Sequence, residues 1–393
     1  MELRGYREED RAALGHLLSL AFGGTQAEGE EAFDPEKNRR LDPDQVYVAE
    51  EEGAPRATAT VLPLEVFVDG ARVPMGGVAA VATHPAHRRR RLAGDLMRAA
   101  LYGMREHGVH LSMLDPFEHS FYRAHGYELA AEAIRYELKP TELPTSPEQR
   151  YTRARREGDR EAFESLLEKE AARHQICPSR NEGRWRDLEA YDGSEGRESA
   201  VYERDGQIEG YLLYRQTKGT GEPSRLLQAP ELVASTERAR EALLSFLAAY
   251  DPGDWRIDYA VSRGEPLHPH LKSAHVEAKI RPGMMLRLVD VEGALSRLRR
   301  KLQTPLVLEV SDDAIPENEG SYTLGEDGAT RGARAVERVR LDARQLAQLY
   351  AGYLSVDHLH RRGLVEPGSE GALELLDSMF PAGDPWVFPL DHF

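Results

Sequence analysis

The chain has 393 residues and a formal net charge of −16, a length for two or three domains and a balance that argues against nucleic-acid binding and suits attraction of cations. Its one cysteine, Cys177, excludes an intrachain disulfide and any multi-thiolate metal site. No apolar run is long enough to span a bilayer, and the charged start Met1-Glu2-Leu3-Arg4-Gly5-Tyr6-Arg7 carries no signal region, so a cytoplasmic protein with no membrane partner is expected.

In chain order, residues 1 to about 140 read as mixed α/β. Leu14, Leu17, Leu18, Ala21 and Phe22 space out an amphipathic helix that ends near Gly23-Gly24. Strands follow at 46–50 and 56–68, and Asp69-Gly70 is a hairpin turn into a strand over 72–83. Pro85 ends that strand, the four arginines Arg88 to Arg91 follow, and Leu92, Leu96, Met97, Ala100, Leu101 and Met104 mark a helix. A strand over 109–114, a short helix holding Phe121 and Tyr122, and one final strand over 127–138 complete the segment. Pro140, Pro144 and Pro147 mark a linker.

Residues 150 to about 285 show the same order of elements, a diverged internal repeat. A helix begins at Asp159 with Phe163, Leu166 and Leu167 inward. Asp205-Gly206 joins strands at 199–203 and 207–216, a strand over 226–234 runs into a helix over 236–250, and a strand covers 255–261. The second junction reads Val233-Ala234-Ser235-Thr236-Glu237-Arg238, with neither a basic cluster nor glycines. Only the first copy is therefore expected to keep a phosphate site. Beyond Met284 the pattern predicts an amphipathic helix over 291–302 and strands at 306–310, 321–324 and 335–341. A helix capped by Asp342 follows, with more helix through Leu359 and over 373–380. The last residues carry Trp386, Phe388 and Phe393 with Pro385 and Pro389 in place of a charged, fraying tail, so this end is expected to be docked.

The strand, basic turn and helix over 76–94 present free backbone N–H groups and positive charge to a phosphorylated ligand. The apolar strand before Pro85 can splay from its neighbour and offer N–H and C=O groups to an amide-bearing ligand, while Arg88 to Gly94 takes a pyrophosphate. A ligand with amides and a pyrophosphate is coenzyme A. Four arginines alone also make an ordinary solvated face; the glycine-bearing strand before them and their absence from the second copy favour a site. His84 and His87, spaced and without a carboxylate partner, read as surface residues, and no metal is expected. Cys177 reads as a buried small hydrophobe, and Trp386 and Phe388 as packing.

These residues resemble the GCN5-related N-acetyltransferases, whose acetyl-CoA loop follows Arg/Gln-x-x-Gly-x-Gly/Ala. Arg88-Arg89-Arg90-Arg91-Leu92-Ala93 fits the first and last positions, with Arg91 in place of the central glycine. The whole chain resembles a narrower family, the Eis (enhanced intracellular survival) acetyltransferases. The carriers are Met75 to Pro85, Ser112 to Phe117, Ser120-Phe121-Tyr122-Arg123, Arg287-Leu288-Val289-Asp290-Val291 and the aromatic end at Phe393.

The resemblance implies an α/β (α+β) chain of three domains. These are an acetyl-CoA-binding acetyltransferase domain over 1–148, a degenerate acetyltransferase-like domain over 149–285, and a sterol-carrier-protein-like domain over 286–393 whose C-terminus reaches the active site. It implies that Val81, Ala82 and Thr83 pair with pantetheine and that Arg88, Arg89, Arg90, Arg91, Leu92, Ala93 and Gly94 hold the pyrophosphate. It makes Tyr122 the general acid and the free carboxylate of Phe393 the general base. It further implies acetyl-CoA as cosubstrate, no metal, and a cationic small-molecule acceptor of the aminoglycoside class. A homo-oligomer, with a hexamer as candidate assembly, is implied as well. The alternatives are a lysine or peptide acetyltransferase, or a carrier of an apolar ligand with a vestigial enzyme domain.

Overall fold

The computed structural model describes residues 1–189, 193, 196–218, 224–251 and 254–393. They fall into two compact units: Met1–Ala130 with Met284–Gly383 and Phe393, and Ala131–Gly283 with Asp384–His392.

In the first unit one sheet runs in the order Glu2–Gly5, Val46–Glu51, Ala54–Val68, Ala71–Thr83, Leu111–Leu114, Met285–Leu288 and Glu128–Leu129. Its spine is a long hairpin closed at Asp69 and Gly70, whose φ of 48° and 72° match the twist of the strands. The helix Leu92–Glu106 buries the six residues that its periodicity selects. It lies close to the sheet at Gly76, where a Cβ would come within 2.1 Å of Met104 Sδ. A second sheet of this unit runs Gly328–Arg331, Gly320–Gly325, Leu306–Ser311, Arg338–Asp342 and Val365–Pro367. Beside it the helix Ala343–Tyr350 starts as expected, with Asp342 Oδ1 accepting from the Arg344 amide at 2.8 Å. The helix expected over 291–302 is shorter, Val291–Leu295. Past it, the Arg299 amide donates to Asp69 Oδ2 (3.0 Å) instead of to a carbonyl one turn back, while Leu298 and Leu302 stay buried from irregular backbone.

The sheet of the second unit runs Ala278–Pro282, Glu132–Leu138, Trp255–Ser262, Arg225–Ala234, Gln207–Lys218, Arg197–Arg204 and Thr152–Ala154. The helix Glu237–Ala248 packs Ala239, Leu243 and Leu247 against Tyr136, Leu212, Leu227 and Ile257.

The single strand expected over 127–138 is two strands in different sheets. Glu128–Leu129 pairs with Met285–Leu288 in the first unit, and Glu132–Leu138 pairs with Trp255–Ser262 in the second. Each repeat thus takes a closing strand from the other's stretch of chain. Alternating burial identifies a strand but not its sheet. The proline-marked linker is also not free chain: Pro140–Glu142 and Pro147–Tyr151 form tight turns, with Pro140 and Leu143 buried.

The repeat carries a chemical signature besides element order. Arg4-x-x-Arg7-Glu8-x-Asp10 returns as Arg153-x-x-Arg156-Glu157-x-Asp159. In both copies the aspartate accepts from the first arginine (2.7 Å each) and from the backbone of the second (2.8 and 2.7 Å). The first arginine also reaches a strand glutamate, Glu50 or Glu203.

Candidate active site

The strand Ala71–Thr83 runs parallel to Leu111–Leu114 for three residues only, Met75, Gly76 and Gly77. Its other edge stays paired with Ala54–Val68 as far as Thr83, with a register shift between Thr58 and Thr60 and Ala80 at φ 51° opposite it. This is a bulge, which bends a strand away from its neighbour. Past Gly77 the edge turned toward Leu114 has no strand partner among the described residues. Val81, Ala82 and Thr83 stand on it. Ala82 is buried in a cluster with Leu14, Val46 and Val48, so it offers backbone only.

Beyond Thr83, His84 Nδ1 accepts from the Ala86 amide (3.2 Å) and caps a tight turn. His87 has a carboxylate partner after all: its Nδ1 lies 2.7 Å from Glu51 Oε2, which also meets Arg90 Nη1 at 3.5 Å. The hydrogen bond from His87 holds the Glu51 carboxyl below its usual range. Thirty-six residues separate the pair, so spacing gave no sign of it. Arg88 to Arg91 are exposed, and Arg88 Nε donates to Thr83 O at 3.4 Å. Arg89 and Arg91 both adopt left-handed backbone, φ 63° and 66°, a geometry that turns successive N–H groups into an anion-binding concavity. Arg91 stands directly before the helix Leu92–Glu106, whose first N–H groups have no intrahelical partner. Leu92 is buried and contributes backbone only, as do Ala93 and Gly94. The turn thus combines left-handed backbone, a helix N-terminus and exposed cations, features that suit a pyrophosphate.

Tyr122 lies on the helix His119–Arg123, whose start is capped by Glu118 accepting from the Ser120 amide at 3.2 Å. The side chain is 2% exposed, among the rings of Phe117, Phe121 and Tyr127. Burial, then the neighbouring Tyr127 and Asp115, push its pKa well up, which keeps the hydroxyl protonated. No described residue hydrogen-bonds that hydroxyl. The turn after this helix is fixed from the third segment of the chain. Arg287, fully buried, donates from Nη1 to His125 O (2.7 Å) and from Nη2 to Asp312 Oδ2 (2.7 Å). Gly126 (φ 78°) admits it, since a Cβ there would lie 1.4 Å from Arg287 Nη1. Burying that charge is tolerable only because it is paired and hydrogen-bonded.

The other end of the chain meets the splayed strand. The Phe393 ring packs on Gly77, where a Cβ would come within 2.8 Å of its Cε2. Gly77 lies inside the motif Met75 to Pro85, but the sequence reading gave it no role of its own. In the second unit the preceding residues are latched by charge. Arg180 is held between Glu231 and Asp391, with Nε–Oδ1 at 2.7 Å to Asp391, and Tyr211 donates to Glu231 at 2.7 Å. Asp384 accepts from the Gly264 amide at 2.8 Å and faces His174. Trp386, Val387 and Phe388 are buried, so the docked end is borne out. Cys177 is also buried, and burial raises its thiol pKa well above the ordinary value. Among the described residues no group of three His, Cys, Asp or Glu side chains is arranged to hold a metal ion. No helix there is long and apolar enough to cross a membrane.

A strand that parts from its parallel neighbour and then bulges, with a basic left-handed turn leading into a helix, is the arrangement of the acetyltransferase class of α/β fold. Comparison with known families agrees. Residues 2–130 and 177–288 match two models described as acetyltransferase (GNAT) domain, and residues 291–388 match the sterol carrier protein domain. The chain is an N-acetyltransferase of the GNAT class, with two such domains followed by a sterol carrier protein domain. An uncharacterized N-acetyltransferase of Streptomyces avermitilis is 29% identical, with 81% of this chain and 82% of the relative covered. One of Streptomyces coelicolor is 27% identical over 95% of each chain. Among solved structures, a GCN5-related N-acetyltransferase from Anabaena variabilis superposes with a TM-score of 0.88 (22% identity, 100% of each chain). Eis1 from Mycobacterium abscessus superposes with 0.80 (23% identity, 100% of each chain). The fold is shared with both.

Proposed function

We propose that this enzyme passes the acetyl group of acetyl-CoA directly to a primary amine of a polycationic small molecule, the aminoglycosides being the class its Eis-like motifs imply. The observation that carries this reading is the splay after Gly77: an unpaired strand edge leading into a cationic left-handed turn, with the Phe393 ring seated at the vertex. Val81 to Thr83 supply amide partners for pantetheine, and Arg88 to Gly94 hold the pyrophosphate. The amine attacks the thioester carbonyl, the C–N bond forms as the C–S bond breaks, and Tyr122 protonates the departing thiolate. The free carboxylate of Phe393 takes the proton that an ammonium must lose before it attacks, alkylamines such as the lysine side chain, with a pKa of about 10.4, being mostly protonated at neutral pH. Such acid–base groups contribute about 10²–10⁴-fold each. Cys177, buried with a raised pKa, is unsuited to a covalent acetyl intermediate, which favours a ternary complex. The net charge of −16 favours approach of a cation. A homo-oligomer, a hexamer foremost, goes with the same reading and is checked by light scattering.

The test is mass analysis of aminoglycosides, polyamines and lysine peptides incubated with enzyme and acetyl-CoA. Acetylated aminoglycoside is expected; release of no CoA thiol above background with any amine would overturn the reading. Tyr122→Phe should lower kcat at least tenfold at unchanged acetyl-CoA affinity, and a rate within twofold of the parent would remove Tyr122 from the reaction. Residues appended after Phe393 should suppress turnover while leaving acetyl-CoA affinity nearly intact.

A further inference from the structure

At the splayed junction the first unit holds a chain of buried hydroxyls to which the acetyl-transfer chemistry assigns no part. Gly76, Ser112 and Arg287 are direct register partners across three adjacent strands, Ala71–Thr83, Leu111–Leu114 and Met285–Leu288. The row stands one residue before Gly77, where the pairing of the first two strands ends. Ser112 and Arg287 are fully buried, and both reach the turn that follows the Tyr122 helix. Arg287 holds the His125 carbonyl, and Ser112 Oγ lies 2.7 Å from the Tyr127 hydroxyl.

The direction of these hydrogen bonds is fixed. The Gly76 carbonyl can only accept, so the Ser112 hydroxyl donates its one proton there, at 2.8 Å. Ser112 Oγ then has only lone pairs left for Tyr127, which makes the Tyr127 hydroxyl the donor. Burial outweighs the hydrogen bond to Ser112 and raises the Tyr127 pKa to about 12, which keeps that proton in place. Tyr127 also closes the helix of the acid. Its backbone amide donates to the Tyr122 carbonyl at 3.2 Å, where the His125 amide donates as well at 2.9 Å. Hydrogen bonds thus run without a break from the Gly76 carbonyl through Ser112 and Tyr127 to the backbone of Tyr122.

Core packing alone does not ask for this chain. A phenylalanine ring at position 127 would fill the same space with no hydroxyl to satisfy, and buried polar groups are costly unless each is paired. Fully paired, such a network fixes one arrangement of the elements that it joins. That matters for Tyr122, whose hydroxyl has no hydrogen-bond partner among the described residues and whose ring is held by Phe117, Phe121 and Tyr127. A general acid must stand within about 3 Å of the atom it protonates, and a misplacement of about 1 Å can cost about 10²-fold in rate.

We propose that Ser112 and Tyr127 are positioning residues for the general acid: they tie the Tyr122 helix to the strand at Gly76 and so hold the Tyr122 hydroxyl at the point where the strands part. This rests on the reading of Tyr122 as the acid.

Steady-state kinetics on the full chain test it, with acetyl-CoA as donor, kanamycin or spermine as acceptor, and release of CoA thiol as the signal. Tyr127→Phe should lower kcat about tenfold while the KM for acetyl-CoA stays within about twofold of the parent. In a Tyr122→Phe background, where the acid is already absent, Tyr127→Phe should lower kcat no further. A residue that serves the fold alone costs the same in both backgrounds, so the non-additivity separates positioning from packing. Ser112→Ala should act in the same direction. Should its melting curve show that it does not fold, Tyr127→Phe, which deletes one hydroxyl and keeps the ring, carries the test. Tyr127→Phe with kcat within about twofold of the parent, or with an equal loss in both backgrounds, would overturn this inference alone. Tyr122→Phe at the parental rate, or no thiol release by the parent with either amine, would overturn the transfer reading and this inference with it.

Discussion

The same strand-to-helix junction occurs twice in this chain with opposite contents. In the first, Ala71–Thr83 leaves its parallel neighbour at Gly77, and the turn beyond is cationic, left-handed and exposed. In the second, Arg225–Ala234 pairs in parallel with Trp255–Ser262 only as far as Ala229, and the gap beyond is taken up by Trp386 and Phe388, leaving a cavity of about 30 Å³. The helix that follows is closed by its own side chains: Thr236 Oγ1 accepts from the Ala239 amide, and Glu209 engages both Thr236 and Arg238. A carboxylate stands where a phosphate would need to approach. The splay is thus a general product of the topology. The turn sequence, and whatever the chain packs into the gap, decide whether it becomes a site.

The largest expected effect comes from emptying the second gap. Trp386→Ala should destabilise the enzyme by about 3–5 kcal/mol, the usual cost of truncating a buried tryptophan, measured by chemical denaturation. It should not add a second CoA site, because Glu209 and Thr236 still close the helix; calorimetry showing two CoA per chain would break the contrast. Next is the latch at His174. Burial by itself lowers the His174 pKa, but hydrogen bonds to Asp384 and Glu170 outweigh it and raise it to about 9. A folded pKa above the ordinary value of about 6.5 means that this stabilisation is complete below pH ~6.5 and is lost as pH rises through about 9. Up to about 3 kcal/mol is involved. His174→Gln should flatten the alkaline limb of a Tm-against-pH profile, and an unchanged limb would remove the latch.

A smaller effect separates the turns. Arg88→Ala with Arg89→Ala should raise the KM for acetyl-CoA about tenfold with kcat little changed, as expected for lost phosphate pairing, whereas Arg238→Ala should leave that KM unaltered. Equal effects would mean that the two junctions are not distinguished by charge. The smallest concerns Arg91, held at φ 66° where a non-glycine residue pays roughly 1–2 kcal/mol. Arg91→Gly should relieve about 1 kcal/mol and lower the acetyl-CoA KM a few-fold; a raised KM would show that the side chain contributes more than its strain costs.

Much of this was legible in the residues. The hydrophobic spacing of Leu92 to Met104 placed a helix whose six inward residues are all buried. Asp69-Gly70 and Asp205-Gly206 placed hairpins, and the four arginines singled out the first junction. Other features had no local sign. The strand read as continuous over 127–138 divides between sheets, because neither the alternation nor the propensity of Glu132 to Leu138 names a partner. His87 finds Glu51, and Arg287 finds His125 and Asp312, across separations that no spacing rule covers.

By itself the sequence determined the local chemistry: which segments are strands and helices, where the chain turns, and which of two junctions carries cationic, phosphate-compatible residues. Those properties depend on side-chain periodicity and backbone preference within a few residues. Only the tertiary structure decided which strands close which sheet, that Gly77 receives the ring of Phe393, and that Trp386 and Phe388 fill the second gap. These depend on long-range packing and on ion pairs between residues far apart in the chain. At the stretch where the two accounts meet, the sequence supplied the arginines and the fold supplied the opening beside them.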